Sequence, residues 1–153
     1  HAVNWLMGPH ADRFAAFVSH AGIYNTESMQ LATEELWFPK WEFGGWPWES
    51  AATKARWQSQ SPHNGAKGFK KPALVTHGEL DYRVPYVNGT ALYAILQAMS
   101  IPSRLVIYPD ENHWILSPQN AIHWNWEVQS WLARYIGGTP TLTKPVFETV
   151  EGK

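Results

Sequence analysis

Two apolar segments joined by a helical pattern, between Ala73 and Tyr108, constrain the fold of this chain more than any other feature. The segments "PALVTH" and "RLVIY" are almost continuously apolar, which is typical of strands buried on both faces. Between them, apolar residues recur at the spacing of a helix: Val87, Ala91, Leu92, Ile95, Leu96 and Met99. Neighbouring parallel strands need such a crossover. The pattern therefore predicts an α/β fold, with a parallel sheet flanked by helices.

Further elements are predicted on both sides of this unit. Residues 2–7 favour a short helix, which the following Gly-Pro pair ends. The apolar run from Phe14 to His20 is interpreted as a buried strand, although its length is also compatible with a helix. A last helix with one apolar stripe begins after Ser117, the expected cap, and ends at Gly137.

Residues 25–64 form a Trp-rich segment that includes "ELWFPKWEFGGWPWE". Its prolines and glycines interrupt any single long element, whereas its aromatic content is too high for a disordered linker. We therefore predict an ordered insert, whose rings either fill the core or line a pocket. Residues 1–138 are assigned to one domain that contains this insert. Residues 139–153 are predicted to form a loosely held C-terminal tail.

The composition excludes several classes of function. A chain of 153 residues has the size of one domain. Its 12 basic and 13 acidic residues form no basic block, so neither nucleic acid nor a membrane surface is a predicted partner. There is no cysteine, and the seven histidines are scattered without a His-x-x-x-His pair, so no metal is predicted. A glycine-rich phosphate loop is also lacking, and no cofactor is predicted.

Ionisable residues follow both strands of the β-α-β unit. "THGELDYRVPY" brings Asp81 to the end of the first strand, and "PDENHWI" brings His113 to the end of the second. In sheets of this kind ligands bind beyond the carboxyl ends of the strands. Because one helix joins the two strands, we expect the loops to lie side by side, with Asp81 in contact with His113. Such a carboxylate fixes the tautomer of the imidazole and stabilises the imidazolium that forms when a nucleophile loses its proton.

Residues beside this pair have two interpretations each. Arg83 either contacts a substrate carboxylate or carbonyl, or forms a salt bridge with Glu79 or Asp110 that orders the loop. Asp110 and Glu111 either act on the charge state of the neighbouring histidine or fix a turn.

Three segments of the chain resemble the catalytic domain of the prolyl oligopeptidase family, which consists of serine peptidases with an α/β-hydrolase domain joined to a β-propeller. They are "HAVNWLMGPHADRFAAFVSHAGIYN", "SPHNGAKGFKKPALVTHGELDYRVP" and "YPDENHWI". The segment "ELWFPKWEFGGWPWE" is most similar to the branch of dipeptidyl-peptidases 5 and acylaminoacyl-peptidases. The resemblance extends to about Gly138. It implies that Asp81 and His113 are the acid and the base of a catalytic triad.

The nucleophile of that triad is missing from the sequence. In the family the serine lies in a Gly-x-Ser-x-Gly-Gly turn between a strand and a helix, and no Gly-x-Ser-x-Gly occurs in the 153 residues. The helix that follows this turn resembles the segment that begins at His1. We therefore expect the chain to be the C-terminal part of an α/β-hydrolase fold, beginning just after the nucleophile elbow, and to be inactive alone.

The resemblance implies a serine peptidase that releases dipeptides or acylated residues from short peptides. Its implied partners are the upstream portion of the same protein, with the nucleophile turn and a β-propeller, and the peptide substrate. Candidate substrate-binding residues are Tyr82, Arg83, Trp37 and Trp46. A periplasmic or secreted location is favoured by the resemblance, and a homodimer is left open.

Two alternatives are open. One is an esterase on the same fold, because a triad does not choose between ester and amide. The other is a non-catalytic hydrolase-like fragment whose aromatic surface binds a partner. The second is less favoured, because a partial sheet would expose apolar faces and an unpaired edge.

Overall fold

The computed structural model describes residues 1–30 and 32–146. At its centre lies a parallel sheet in the order β1-β2-β3. Its strands are β1 (Phe17–His20), β2 (Ala73–Gly78) and β3 (Ser103–Tyr108). Every residue of β2 is buried, which fits its central place. The predicted parallel sheet and crossover are confirmed.

The first strand is shorter than the sequence predicted. It begins at Phe17, whose N–H donates to the Pro72 carbonyl, and Phe14 lies outside it with 38% of its surface exposed. The residues just before Phe14, Ala11–Arg13, turn in a short 3-10 helix. The apolar run therefore includes residues that connect this 3-10 helix to β1. The ring of Phe14 packs on that of Phe17, with centroids 5.1 Å apart.

Helices cover both faces of the sheet. They are α1 (Ala2–Leu6), α5 (Val87–Ala98) and α6 (Pro118–Ile136). Val75 belongs to the main hydrophobic core, whereas the hydroxyl of Thr76 accepts a hydrogen bond from Trp124 of α6 at 3.0 Å. Successive side chains of a strand point to opposite faces, so the core and α6 lie on opposite sides of β2. The core consists of Met7, Phe17, Phe69, Ala73, Val75, Leu92, Leu96 and Ile101.

The Trp-rich insert is an ordered group of short helices, α2 (Thr26–Gln30), α3 (Trp37–Phe43) and α4 (Ala51–Ser59), followed by a 3-10 helix at Pro62–Gly68. Pro39 lies within the first turn of α3, whereas Gly44 marks its end. Gly44, with φ of 74°, ends α3 in the left-handed conformation that glycine adopts easily. The sequence analysis did not predict these helices.

The rings of the insert divide between the core and the surface. Trp57 is fully buried, packs on Phe43 with ring centroids 4.4 Å apart, and donates its Nε1–H to the Gly45 carbonyl at 3.0 Å. In contrast, Trp37 and Trp41 are 66% and 73% exposed. Neither a core role nor a pocket role therefore describes the whole set.

The first residues of the tail are held against α6. Both the N–H and the hydroxyl of Thr141 donate to Oε1 of Gln129, at 2.8 and 2.9 Å. Thr141 is therefore held in place by α6. Residues 147–153 of the predicted tail, which spans residues 139–153, lie outside the described residues. Among the described residues, no helix combines the length and hydropathy that crossing a membrane requires.

Replacing Trp57 by Ala should destabilise the complete protein that carries this chain by about 3–5 kcal/mol, because a large buried ring leaves a cavity. Trp41→Ala removes an exposed ring and should change the free energy of unfolding by less than about 0.5 kcal/mol. Equilibrium urea unfolding of the two variants makes the comparison. Equal losses would show that the insert is not packed as described.

Candidate active site

Asp81 lies in a tight turn directly after β2, which we call the acid loop (residues 79–84). Its Oδ1 accepts hydrogen bonds from the backbone N–H groups of Arg83 at 3.0 Å and Val84 at 2.8 Å. Short carboxylates commonly bond to the backbone two or three residues ahead and so stabilise a turn. This turn leaves Oδ2 free to bind a side chain from another loop.

His113 lies in the loop after β3, which we call the histidine loop (residues 109–116). Backbone bonds join the two loops, from Glu79 N to Tyr108 O at 2.9 Å and from Leu80 N to Glu111 O at 3.0 Å. Gly78 makes this approach possible, because a Cβ there would lie 2.1 Å from the Asn112 carbonyl oxygen. Any other residue at this position would push the histidine loop away from the acid loop.

The predicted contact between the acid and the imidazole is present. Nδ1 of His113 lies 2.8 Å from Oδ2 of Asp81. The carboxylate is an acceptor, so Nδ1 carries the proton and Nε2 is left with its lone pair. Burial alone raises the pKa of Asp81, but hydrogen bonds from His113, His77 and the Val84 N–H outweigh it and hold the pKa well below its usual range. Asp81 is therefore an anion, ready to stabilise a protonated His113.

Glu111 fixes the histidine loop to the start of α6. Its carboxylate accepts hydrogen bonds from the N–H groups of Leu116 and Ser117, each at 2.9 Å, and from Asn120 at 2.8 Å. Burial raises the pKa of Glu111, whereas these bonds lower it, to about 2. Of the two interpretations of Glu111, the structure supports the turn-fixing one. Ser117 occupies the cap position, but its side chain makes no capping bond, which corrects that prediction.

Two cavities meet at His113. The first, about 330 Å³, is lined by Glu34, Leu80, Tyr82, Arg83, Asn112, His113 and Trp114. The second, about 370 Å³, has Ile23, Met29, Phe38, Pro39 and Val84 in its wall beside Arg83 and His113. A bound molecule in either cavity would reach the imidazole.

The four candidate substrate-binding residues differ in position. Tyr82 and Arg83 line the first cavity, and Arg83 also lines the second. Trp37 and Trp46 line neither, because Trp37 faces solvent and Trp46 stacks on Trp48 with centroids 5.1 Å apart. The structure therefore places Trp37 and Trp46 in neither cavity, and their role in substrate binding stays a prediction.

The partner of Arg83 also differs from the prediction. Its Nε lies 3.0 Å from Oε2 of Glu35, and its guanidinium lies 5.2 Å from the centroid of the Trp114 ring. The expected partners were Glu79 and Asp110. Asp110 instead accepts a bond from Asn120 at 2.9 Å. The sequence does not predict the contact with Glu35, because Glu35 belongs to the insert and only the fold brings it to the acid loop.

Two other histidines near serine or acid groups were not singled out from the sequence. Ser61 lies 2.7 Å from Nδ1 of His63, but Ser61 is buried, and its Oγ already accepts the N–H of Thr26. This pair is a structural contact. His77 is fully buried, with Nε2 3.2 Å from Oδ2 of Asp81. Within residues 1–30 and 32–146, no group of three metal-ligating side chains comes together.

The fold is that of an α/β hydrolase. The family model described as the prolyl oligopeptidase family matches residues 1–139, and the chain belongs to this family. It is 43% identical over 136 residues to dipeptidyl-peptidase 5 of Porphyromonas endodontalis, covering 88% of this chain and 20% of that protein. It is 41% identical over 134 residues to dipeptidyl-peptidase 5 of Schizosaccharomyces pombe, covering 87% of this chain and 19% of that protein.

A solved structure shares the fold. The uncomplexed acylaminoacyl peptidase of Pyrococcus horikoshii superposes with a TM-score of 0.75 at 23% identity, over 95% of this chain and 23% of that one. The predicted family and fold class are thus confirmed. The chain spans about a fifth of the length of the curated relatives it matches.

Glu111→Gln tests how the histidine loop is held. The folded-state pKa of Glu111 is below its ordinary value of 4.5, so its contribution to stability is present above pH 4.5 and disappears as pH falls towards 2. At pH 7 the variant should therefore lose about 1.5–3 kcal/mol, the usual value of hydrogen bonds to a charged group. Urea unfolding at several pH values should show this difference shrinking below pH 4.5. A difference that does not depend on pH would contradict the assignment.

Proposed function

We propose that this chain supplies the acid and the base of a serine peptidase that releases dipeptides or acylated residues from the N-termini of short peptides. The observation that carries the proposal is the 2.8 Å contact between Nδ1 of His113 and Oδ2 of Asp81, at the edge of two cavities. Family membership supports it, and relatives of this chain are named dipeptidyl-peptidase 5.

In the proposed mechanism, a serine from outside this chain attacks the peptide carbonyl. Nε2 of His113 accepts the hydroxyl proton as the new bond forms, and Asp81 stabilises the imidazolium. The same proton then passes to the leaving amine, and the C–N bond breaks. A water molecule repeats the sequence on the acyl-enzyme: His113 takes a proton from it and returns that proton to the serine oxygen.

The cavities suggest how the substrate is held. The apolar wall formed by Ile23, Met29 and Phe38 fits an apolar side chain next to the scissile bond. Tyr82 and Arg83 line the first cavity, where Arg83 can donate to a substrate carbonyl while it keeps its contact with Glu35. The remainder of the protein would supply the serine, the oxyanion donors and a propeller that admits only short peptides.

The substrate class is tested by comparing dipeptidyl-anilides with short acyl-esters as substrates of the complete protein. We expect hydrolysis of the anilides, with a preference for an apolar residue before the scissile bond. Rapid ester turnover without any anilide turnover would indicate an esterase on the same fold and would contradict the peptidase proposal.

The roles of the two residues are tested by Asp81→Asn and His113→Ala. Each should lower kcat by several orders of magnitude, because members of a triad act as a unit. Asp12→Asn is the matched control, since Asp12 precedes β1, at the opposite end of the sheet from the site, and pairs with Lys70 on the surface. Its kcat should be unchanged. A near-wild-type rate in either triad variant would remove that residue from the mechanism.

A further inference from the structure

We propose that His77 is a positioning residue that holds the carboxylate of Asp81 in the orientation His113 needs. This inference deepens the function proposed above and rests on it. His77 is the penultimate residue of β2, its side chain is completely buried, and no step of the mechanism uses it. Three contacts of its ring support the proposal.

The first contact fixes the tautomer of His77. Nε2 lies 2.7 Å from the carbonyl oxygen of Val84. A carbonyl oxygen only accepts, so Nε2 carries the ring proton. The bond ties the far end of the acid loop back to the strand before it. Val84 is also the residue whose N–H donates to Oδ1 of Asp81, so His77 closes the loop that orients the carboxylate.

The second contact places the same nitrogen beside the acid. Nε2 of His77 lies 3.2 Å from Oδ2 of Asp81, the oxygen that also binds His113. Two imidazoles therefore approach one carboxylate oxygen from different elements, His77 from β2 and His113 from the histidine loop. Rotation of the carboxylate away from His113 would break both contacts.

The third contact limits the space around the ring. Gly89 of α5 lies so close that a Cβ there would be 2.7 Å from Nδ1 of His77. Within the described part of the chain, Nδ1 is buried and has no hydrogen-bond partner. An unsatisfied buried nitrogen is costly, and an apolar side chain would avoid that cost. An imidazole is present at this position despite the cost, as expected if its Nε2–H holds the loop that orients Asp81.

Three variants of the complete protein test the inference. Amide nitrogens of Gln and Asn reach about as far as Nε2 and Nδ1 of His, respectively. His77→Gln therefore keeps a donor near Val84 and Asp81, whereas His77→Asn and His77→Leu do not. We expect kcat for a dipeptidyl-anilide to fall about 10- to 100-fold in the Asn and Leu variants, the effect of a small displacement of a catalytic group. KM should be unchanged, and Gln should restore most of kcat.

Labelling of the active-site serine by a fluorophosphonate supplies a readout that does not depend on substrate class. The labelling rate should follow the same order, wild type and Gln above Asn and Leu, with urea unfolding used to confirm that each variant is folded. If the Leu variant does not fold, the comparison of Asn with Gln decides. Wild-type kcat in the folded Asn variant, or equal loss in Gln and Asn, would overturn the positioning role and leave the proposed function intact. A wild-type labelling rate in Asp81→Asn would overturn both.

Discussion

A buried carboxylate is stable as an anion only when hydrogen-bond donors surround it, and at Asp81 the fold provides them from three places. The turn supplies two backbone N–H groups, β2 supplies the imidazole of His77, and the histidine loop supplies His113. Without these donors, the cost of burying the charge would be several kcal/mol. The arrangement that makes the fold tolerate this anion is also the one that prepares His113 to accept a proton.

The parallel sheet makes this convergence possible. Strands β2 and β3 end at the same edge, and Gly78 at the end of β2 lets the histidine loop approach to a distance that no side chain would permit. Glu111 then binds the start of α6, so the loop is fixed at both ends. The position of His113 thus depends on β2, β3 and α6 together.

The sequence predicted those features that follow from local pattern. The β-α-β unit could be predicted because its strands are almost continuously apolar. The contact of Asp81 with His113 could be predicted because the two residues follow neighbouring strands. Features that depend on packing between distant segments could not be predicted from the sequence. Glu35 contacts Arg83 only because the insert folds back to the acid loop. Trp37 and Trp57 both lie in the Trp-rich insert, yet Trp37 is exposed and Trp57 is fully buried. The position of His77 against Asp81 depends on a turn that no periodicity reveals.

The proposed mechanism requires that His113, held by Asp81, presents the lone pair of Nε2 to a peptide substrate. An apolar dipeptidyl chloromethyl ketone tests this claim, because it alkylates the imidazole that lies beside the bound peptide. After reaction of the complete protein and proteolysis, mass spectrometry should find the adduct on His113, and Asp81→Asn should slow its formation strongly. An adduct on a different histidine, or a rate that is unaffected by Asp81→Asn, would contradict the account.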